Sequence, residues 1–168
     1  MPAIEIDTLM FTFDTNWKCQ KTDEWAFYRR HFSKIMSGIK SVDCIAIDTA
    51  AVAWLIESKD YRLFSRTKPS EISEEVAKKV FDTLAMLLPA KNNASKQEES
   101  EFAREVCGCN KLRVVLHLEQ PAKHSKLFPR AIDPADVMQK MRQRLRSIDA
   151  HPIVSEIGNM RGLSWAVA

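Results

Sequence analysis

Asp43, Glu57 and Lys59 are the residues whose types and spacing could do chemistry, with Ser58 between the last two. They sit on two short apolar runs, residues 42–47 and 52–56, joined by Asp48-Thr49-Ala50-Ala51, a linker short enough for a hairpin. Side chains alternate along a strand, so Leu55, Glu57, Lys59 and Tyr61 share one face. Pairing the hairpin about its middle lays Asp43 opposite Glu57. Two carboxylates and an ammonium then converge beside apolar residues. Each buried charge costs on the order of several kcal/mol unless it is paired or binds a metal. A divalent cation relieves the repulsion between two carboxylates, and Mg²⁺ suits a site of one or two carboxylates completed by water and phosphate oxygens. The plainer reading of the same residues is a surface hairpin whose end carries a Glu–Lys pair.

The elements that must position this hairpin follow from periodicity. Residues 1–21 read as a strand or an extended arm carrying Ile4, Ile6, Leu9, Phe11 and Phe13. Thr22 is expected to cap a helix that stops at Gly38, with Asp23 and Glu24 at its positive end and Trp25, Tyr28, Phe32, Ile35 and Met36 on its apolar face. His31 reads as an ordinary half-exposed histidine. A second helix starts at Ser70 or Ser73, buries Val76, Val80, Leu84 and Leu87, and ends at Pro89. Residues 91–100 read as a loop, followed by a helix through Phe102, Val106 and Cys107. Residues 111–118 read as a central strand and 120–130 as a basic loop. Asp133-Pro134 opens a last helix in cap-then-proline order, with Val137, Met141, Leu145 and Ile148 on its buried stripe. Residues 151–154 and 163–167 read as short closing strands. Asp60 should point away from Lys59, as a structural residue or the partner of a nearby arginine. The element order predicts one α/β domain over residues 1–168, with a mixed central β-sheet flanked by helices.

Asp43 on one strand and Glu57-Ser58-Lys59 on the next resemble the motif of the PD-(D/E)XK nuclease superfamily. The likeness covers most of the chain as element order but only these residues as motif. Val42 stands where the family's proline would be, and the helix after the hairpin lacks the Gln-x-x-x-Tyr of the exonuclease branch. The resemblance implies a restriction-endonuclease-like fold and a divalent-metal-dependent nuclease hydrolysing phosphodiester bonds of DNA, in repair, recombination or defence. It assigns Mg²⁺ (or Mn²⁺) to Asp43 and Glu57, with the Ser58 carbonyl as a further ligand and Glu24 as a third acid reaching in from the first helix. Lys59 would orient or help deprotonate a water and offset charge on the phosphate. Arg29, Arg30, Arg62, Arg66, Lys123, Lys126 and Arg130 are then expected to border one cleft and neutralise DNA phosphates. Two other readings stay open: a catalytically silent relative serving as a binding or assembly module, and a metal-dependent hydrolase of a smaller substrate. An open basic groove favours nucleic acid, and a deep closed pocket the smaller substrate.

Bulk properties bound these readings loosely. A net charge of +3 does not by itself announce nucleic-acid binding. No apolar run approaches bilayer length, and the N-terminus shows no basic segment followed by an apolar one, so neither a membrane partner nor secretion is expected. The four cysteines are irregularly spaced, which argues against a disulfide framework and for a reducing cytoplasm. Cys107-Gly108-Cys109, with only His117 and His124 downstream, does not match the common zinc spacings. A homodimer is the remaining expectation about partners.

Overall fold

The hairpin around residue 50 lies at the centre of the molecule. The computed structural model describes residues 1–68, 70–121 and 131–168. The chain opens with β1 (Ala3–Ile6) and β2 (Leu9–Thr12), an antiparallel hairpin that turns at Asp7, a residue in the left-handed region at φ 53°. Then come β3 (Lys18–Gln20), a 3-10 turn over Thr22–Glu24, the short helix α1 (Ala26–Arg30) and a second 3-10 turn over Phe32–Lys34. The hairpin strands are β4 (Cys44–Ile47) and β5 (Val52–Asp60). They are followed by α2 (Ile72–Asn93), α3 (Gln97–Cys107), β6 (Lys111–Glu119), α4 (Pro134–Leu145), β7 (Ile153–Ser155) and β8 (Ala166–Val167).

The fold is α/β. A mixed five-stranded sheet runs β3-β4-β5-β6-β7, and a three-stranded sheet runs β1-β2-β8. β4 pairs antiparallel with β5, whereas β5–β6 and β6–β7 are parallel. Parallel neighbours need a crossover, which α2 and α3 supply for the first pair and α4 for the second. Alternation sorts the strand residues between two cores. Ile45, Leu55, Val114, Leu116 and Leu118 face the helices, packing with Val76 and Val80 of α2, Phe102 and Val106 of α3, and Val137 and Met141 of α4. Cys44, Ala46, Ile56 and Val115 face the small sheet and its Phe11, Phe13 and Trp165. The result is three layers: helices, large sheet, small sheet. His117 is a buried polar residue on the small-sheet side, in register with Ser155, whose Oγ lies 3.0 Å from its Nδ1. Among the described residues no helix is long and apolar enough to cross a membrane.

Several elements depart from the periodicity reading. The helix expected from Thr22 to Gly38 is broken at Trp25, whose backbone is extended at ψ 136°. Thr22 does not cap it; its Oγ1 donates to the Val42 carbonyl at 3.0 Å. The acceptor for the new helix start comes from far along the chain. The buried Glu99 carboxylate of α3 accepts from Ala26 N–H at 2.7 Å and from Phe27 N–H at 3.0 Å. Pro89 does not end α2, which continues to Asn93. Proline removes one backbone hydrogen bond, and the buried Met86, Leu87 and Ala90 hold the helix against the core on either side of it. The loop expected over residues 91–100 is accordingly short. Of the two readings of residues 1–21, strand holds and arm does not: they form the outer hairpin and the edge strand β3, and β8 joins the small sheet.

Candidate functional site

Strand register brings the acids together. β4 and β5 pair Cys44 with Ile56 and Ile45 with Leu55, so one step further sets Asp43 opposite Glu57. Asp43 Oδ2 accepts from the Ser58 backbone N–H at 2.7 Å, which fixes the acid just ahead of its strand. Glu57 is 1% exposed and points toward α2. Its carboxylate is engaged twice. Lys59 Nζ pairs with Oε1, and Lys79 Nζ, from α2, lies 2.6 Å from Oε1 and 2.8 Å from Oε2. The same Lys79 ammonium lies 3.2 Å from Asp43 Oδ1. Burial pushes the Glu57 carboxyl up, and the Asp43 charge adds to this, against the opposing pull of Lys79 and Lys59. Burial works against the Lys79 charge too, but Glu57 and Asp43 outweigh it and raise that ammonium above the ordinary lysine value.

The segment before β4 is tied to α2 so that this geometry holds. Lys40 N–H donates to Asp82 Oδ2 at 2.9 Å and Val42 N–H to Thr83 Oγ1 at 2.9 Å. Ser41 Oγ meets Thr22 Oγ1 at 2.9 Å. Between this segment, β5 and α2 opens a cleft of about 440 Å³. Lys40, Lys59, Lys68, Lys78 and Lys79 line it, against Asp23, Asp43 and Glu75, with Glu57 beneath. Burial, reinforced by the Asp43 charge, pushes Asp23 up. Five lysines thus share the lining of the cleft with three acids.

The residues singled out by sequence fall in different places. Asp43, Glu57, Ser58 and Lys59 converge. Glu24 does not join them: it pairs with Lys21 at 2.8 Å beside another surface hollow, and its neighbour Asp23 faces the cleft instead. Arg29 donates to the Asp23 carbonyl at 3.0 Å and does not line the cleft; neither does the exposed Arg30. Arg62 is bound to Asp60 at 2.6 Å, the partnership expected of that acid. Arg66 is bound to Glu75 at 2.7 Å. Lys123, Lys126 and Arg130 lie outside the described residues. Sequence reasoning missed Lys40, Lys78, Lys79 and Asp23. The available signal was Lys78-Lys79 lying between Val76 and Val80 of the α2 stripe, which puts one of the pair on the edge that faces the sheet.

The fit of a divalent cation can be tested on these contacts. Asp43 Oδ1 and both Glu57 oxygens are taken by ammonium groups, and Asp43 Oδ2 by a backbone N–H. Among the described residues no group of three or more His, Cys, Asp and Glu side chains is arranged to hold a metal ion. As they stand, these residues do not offer Mg²⁺ an open set of oxygens; the Lys79 ammonium holds the position between the acids.

Comparison with known proteins corrects the family reading. The chain is 30% identical over 209 aligned positions to a cysteine--tRNA ligase of Neisseria meningitidis serogroup A / serotype 4A. That alignment takes in 100% of this chain but only 30% of the ligase, so the chain spans about a third of the relative's length. No family model matches. No solved structure matches either, so the restriction-endonuclease-like form of the α/β fold has no structural counterpart behind it. The PD-(D/E)XK resemblance, with the nuclease, the hydrolase chemistry and the DNA binding it implied for Asp43, Glu57 and Lys59, is overturned by this relative. The physical reason for the misreading is that two acids and a lysine on adjacent strands satisfy the motif equally well when their repulsion is relieved by a second lysine from a helix. The similarity that stands for this chain is to a stretch of a cysteine--tRNA ligase.

Proposed function

We propose that this chain is an RNA-binding module acting alongside tRNA aminoacylation in the cytoplasm, its lysine-lined cleft receiving the phosphate backbone of a tRNA. The observation that carries this reading is the cleft itself. Five lysines converge there from the segment before β4, from β5, from the loop after it and from α2, interleaved with Asp23, Asp43 and Glu75. Lys68 and Lys78 keep 57% and 50% of their side chains exposed, Lys68 within 3.9 Å of Glu75 and Lys78 paired with Asp82 at 2.6 Å, so a phosphate would compete with those carboxylates for them. Lysine ammonium groups on flexible stems suit phosphates as point charges and read no base sequence. The name of the relative supports tRNA over DNA as the nucleic acid. The expected homodimer does not enter this reading. Mg²⁺ or Mn²⁺ enters it as a competitor that would have to displace Lys79 from Asp43 and Glu57.

Fluorescence anisotropy with labelled tRNA and a DNA duplex of similar size, over a range of salt, tests the reading. Affinity for tRNA should fall linearly in log–log form with salt, because neutralising phosphates releases counterions. A Lys40→Ala, Lys68→Ala, Lys78→Ala triple variant should bind more weakly and lose about two to three from the slope, close to one per phosphate contact removed. Equal affinity and slope in wild type and triple variant, or tighter binding to DNA than to tRNA, refutes it.

A further inference from the structure

Residues 25–42 hold no aspartate or glutamate, yet carry Arg29, Arg30, Lys34 and Lys40. The stretch runs through α1 and the 3-10 turn after it toward β4, and part of it is a wall of the cleft, lined by Tyr28, Ile39, Lys40 and Ser41. The Tyr28 hydroxyl donates to the Ile39 carbonyl at 3.3 Å, which closes the stretch on itself and brings the end of α1 beside Lys40. The acids around it are engaged elsewhere. Glu24 pairs with Lys21 at 2.8 Å and reaches Arg29 at 4.0 Å, and Asp82, which accepts the Lys40 N–H, is paired with Lys78 at 2.6 Å. Arg30, Lys34 and Lys40 are exposed and have no carboxylate partner among the described residues. Lys40 differs in this from the other four lysines of the cleft, each of which has a carboxylate within 3.9 Å.

Arg30 and Lys34 do not line the cleft, so they stand on the outer side of the wall while Lys40 stands inside it. Four residues of helix and 3-10 turn set their backbones about 6–8 Å apart along the axis. That is within the Debye length of about 8 Å at physiological salt, so their repulsion is felt and no acid offsets it. A ligand that answers such a row is a polyanion, and one that also enters a recess is a strand with a charge on every unit. A membrane surface answers the charge but not the recess. Ile35 and Met36, each 64% exposed, would suit its apolar layer, but segments that lie in a membrane surface present a whole apolar helix face, and these two residues belong to no helix. We infer that Arg30 and Lys34 continue the phosphate track of the cleft over its outer wall, so that a bound RNA strand meets Lys40 within and these two cations beyond. This rests on the RNA reading above and adds to it the wall that the strand crosses.

The test is fluorescence anisotropy of the whole chain with labelled tRNA over a range of salt. An Arg30→Ala, Lys34→Ala double variant should take about 1.4–1.8 from the slope of log affinity against log salt, at roughly 0.7–0.9 per phosphate contact. Arg30→Lys, Lys34→Arg keeps both charges and should keep the slope. Both residues are exposed, so neither variant threatens the fold. Lys111→Ala, Arg142→Ala removes as much charge from exposed positions that do not line the cleft, and its slope should match that of wild type. An equal loss of slope in that control refutes the track, and so does an unchanged slope in Arg30→Ala, Lys34→Ala; if the lysine triple variant still loses slope, the RNA reading stands without it. Wild type that shows no salt-dependent binding to tRNA overturns both. Tighter binding to vesicles of phosphatidylserine and phosphatidylcholine than to tRNA gives these cations to a membrane surface and overturns the track.

Discussion

Replacing Lys79 with methionine removes the charge that stands between two carboxylates and keeps most of the side chain's volume. The Lys79 side chain is 17% exposed, Asp43 14% and Glu57 1%, so the triad is largely out of water. Breaking a buried pair by deleting one partner typically costs about 3–5 kcal/mol, because the remaining charge is stranded. Lys59 stays bound to Glu57 and shields part of that loss, which places the expectation near the lower end, about 3 kcal/mol. With a urea m-value of about 2 kcal/mol/M, the midpoint should fall by about 1.5 M. Equilibrium urea unfolding at neutral pH measures this. A double-mutant cycle adds the specific test, since Glu57→Gln removes the charge that Lys79→Met strands. The double variant should then be more stable than the two single losses predict, by about 1 kcal/mol or more. Lys140→Met is the control. Lys140 pairs with Glu71 at 2.6 Å on the surface, and Arg144 also holds that acid, so stability should not change measurably. Refutation would be a Lys79→Met protein within 1 kcal/mol of wild type together with an additive cycle. The ammonium would then not be what holds the acids together.

Glu99 caps α1 from α3 through two backbone N–H groups. Glu99→Ala should cost about 1–2 kcal/mol in urea unfolding, and Glu99→Gln, which keeps one acceptor oxygen, less. Burial alone would push the Glu75 carboxyl up, but hydrogen bonds from Arg66 and Ser70 outweigh it and hold it down, to about 2. A folded value below the unfolded one of 4.5 stabilises the protein above about pH 4.5, and this contribution fades as pH falls toward 2. Glu75→Gln should therefore be less stable than wild type at pH 7, by at most about 3 kcal/mol, with the gap closing by pH 2. A gap that stays constant between pH 5 and pH 2 in thermal or urea unfolding would refute that account.

What the sequence decided by itself is what depends on local period. Alternation along β4 and β5 places Asp43, Glu57 and Lys59 on one face and Asp60 on the other, because successive side chains of a strand must point opposite ways. The register then follows from pairing the hairpin about its short turn, and the pairing of Cys44 with Ile56 agrees with it. Asp133-Pro134 likewise opens α4 through contacts a few residues long, its carboxylate accepting from Ala135 N–H at 2.9 Å. What only the tertiary structure decided is which distant group meets each local one. Lys79 lies 22 residues beyond Glu57 and 36 beyond Asp43, and it reaches them because α2 crosses back over that sheet face on the way to the parallel strand β6. Glu99 interrupts the expected first helix from 73 residues away, and packing around Pro89 overrides a local stop signal. The chemistry of the site was illegible for the same reason. A motif of acids and a lysine specifies a charge problem, and its solution, an ion or an ammonium from a helix, belongs to whichever element the crossover lays on top.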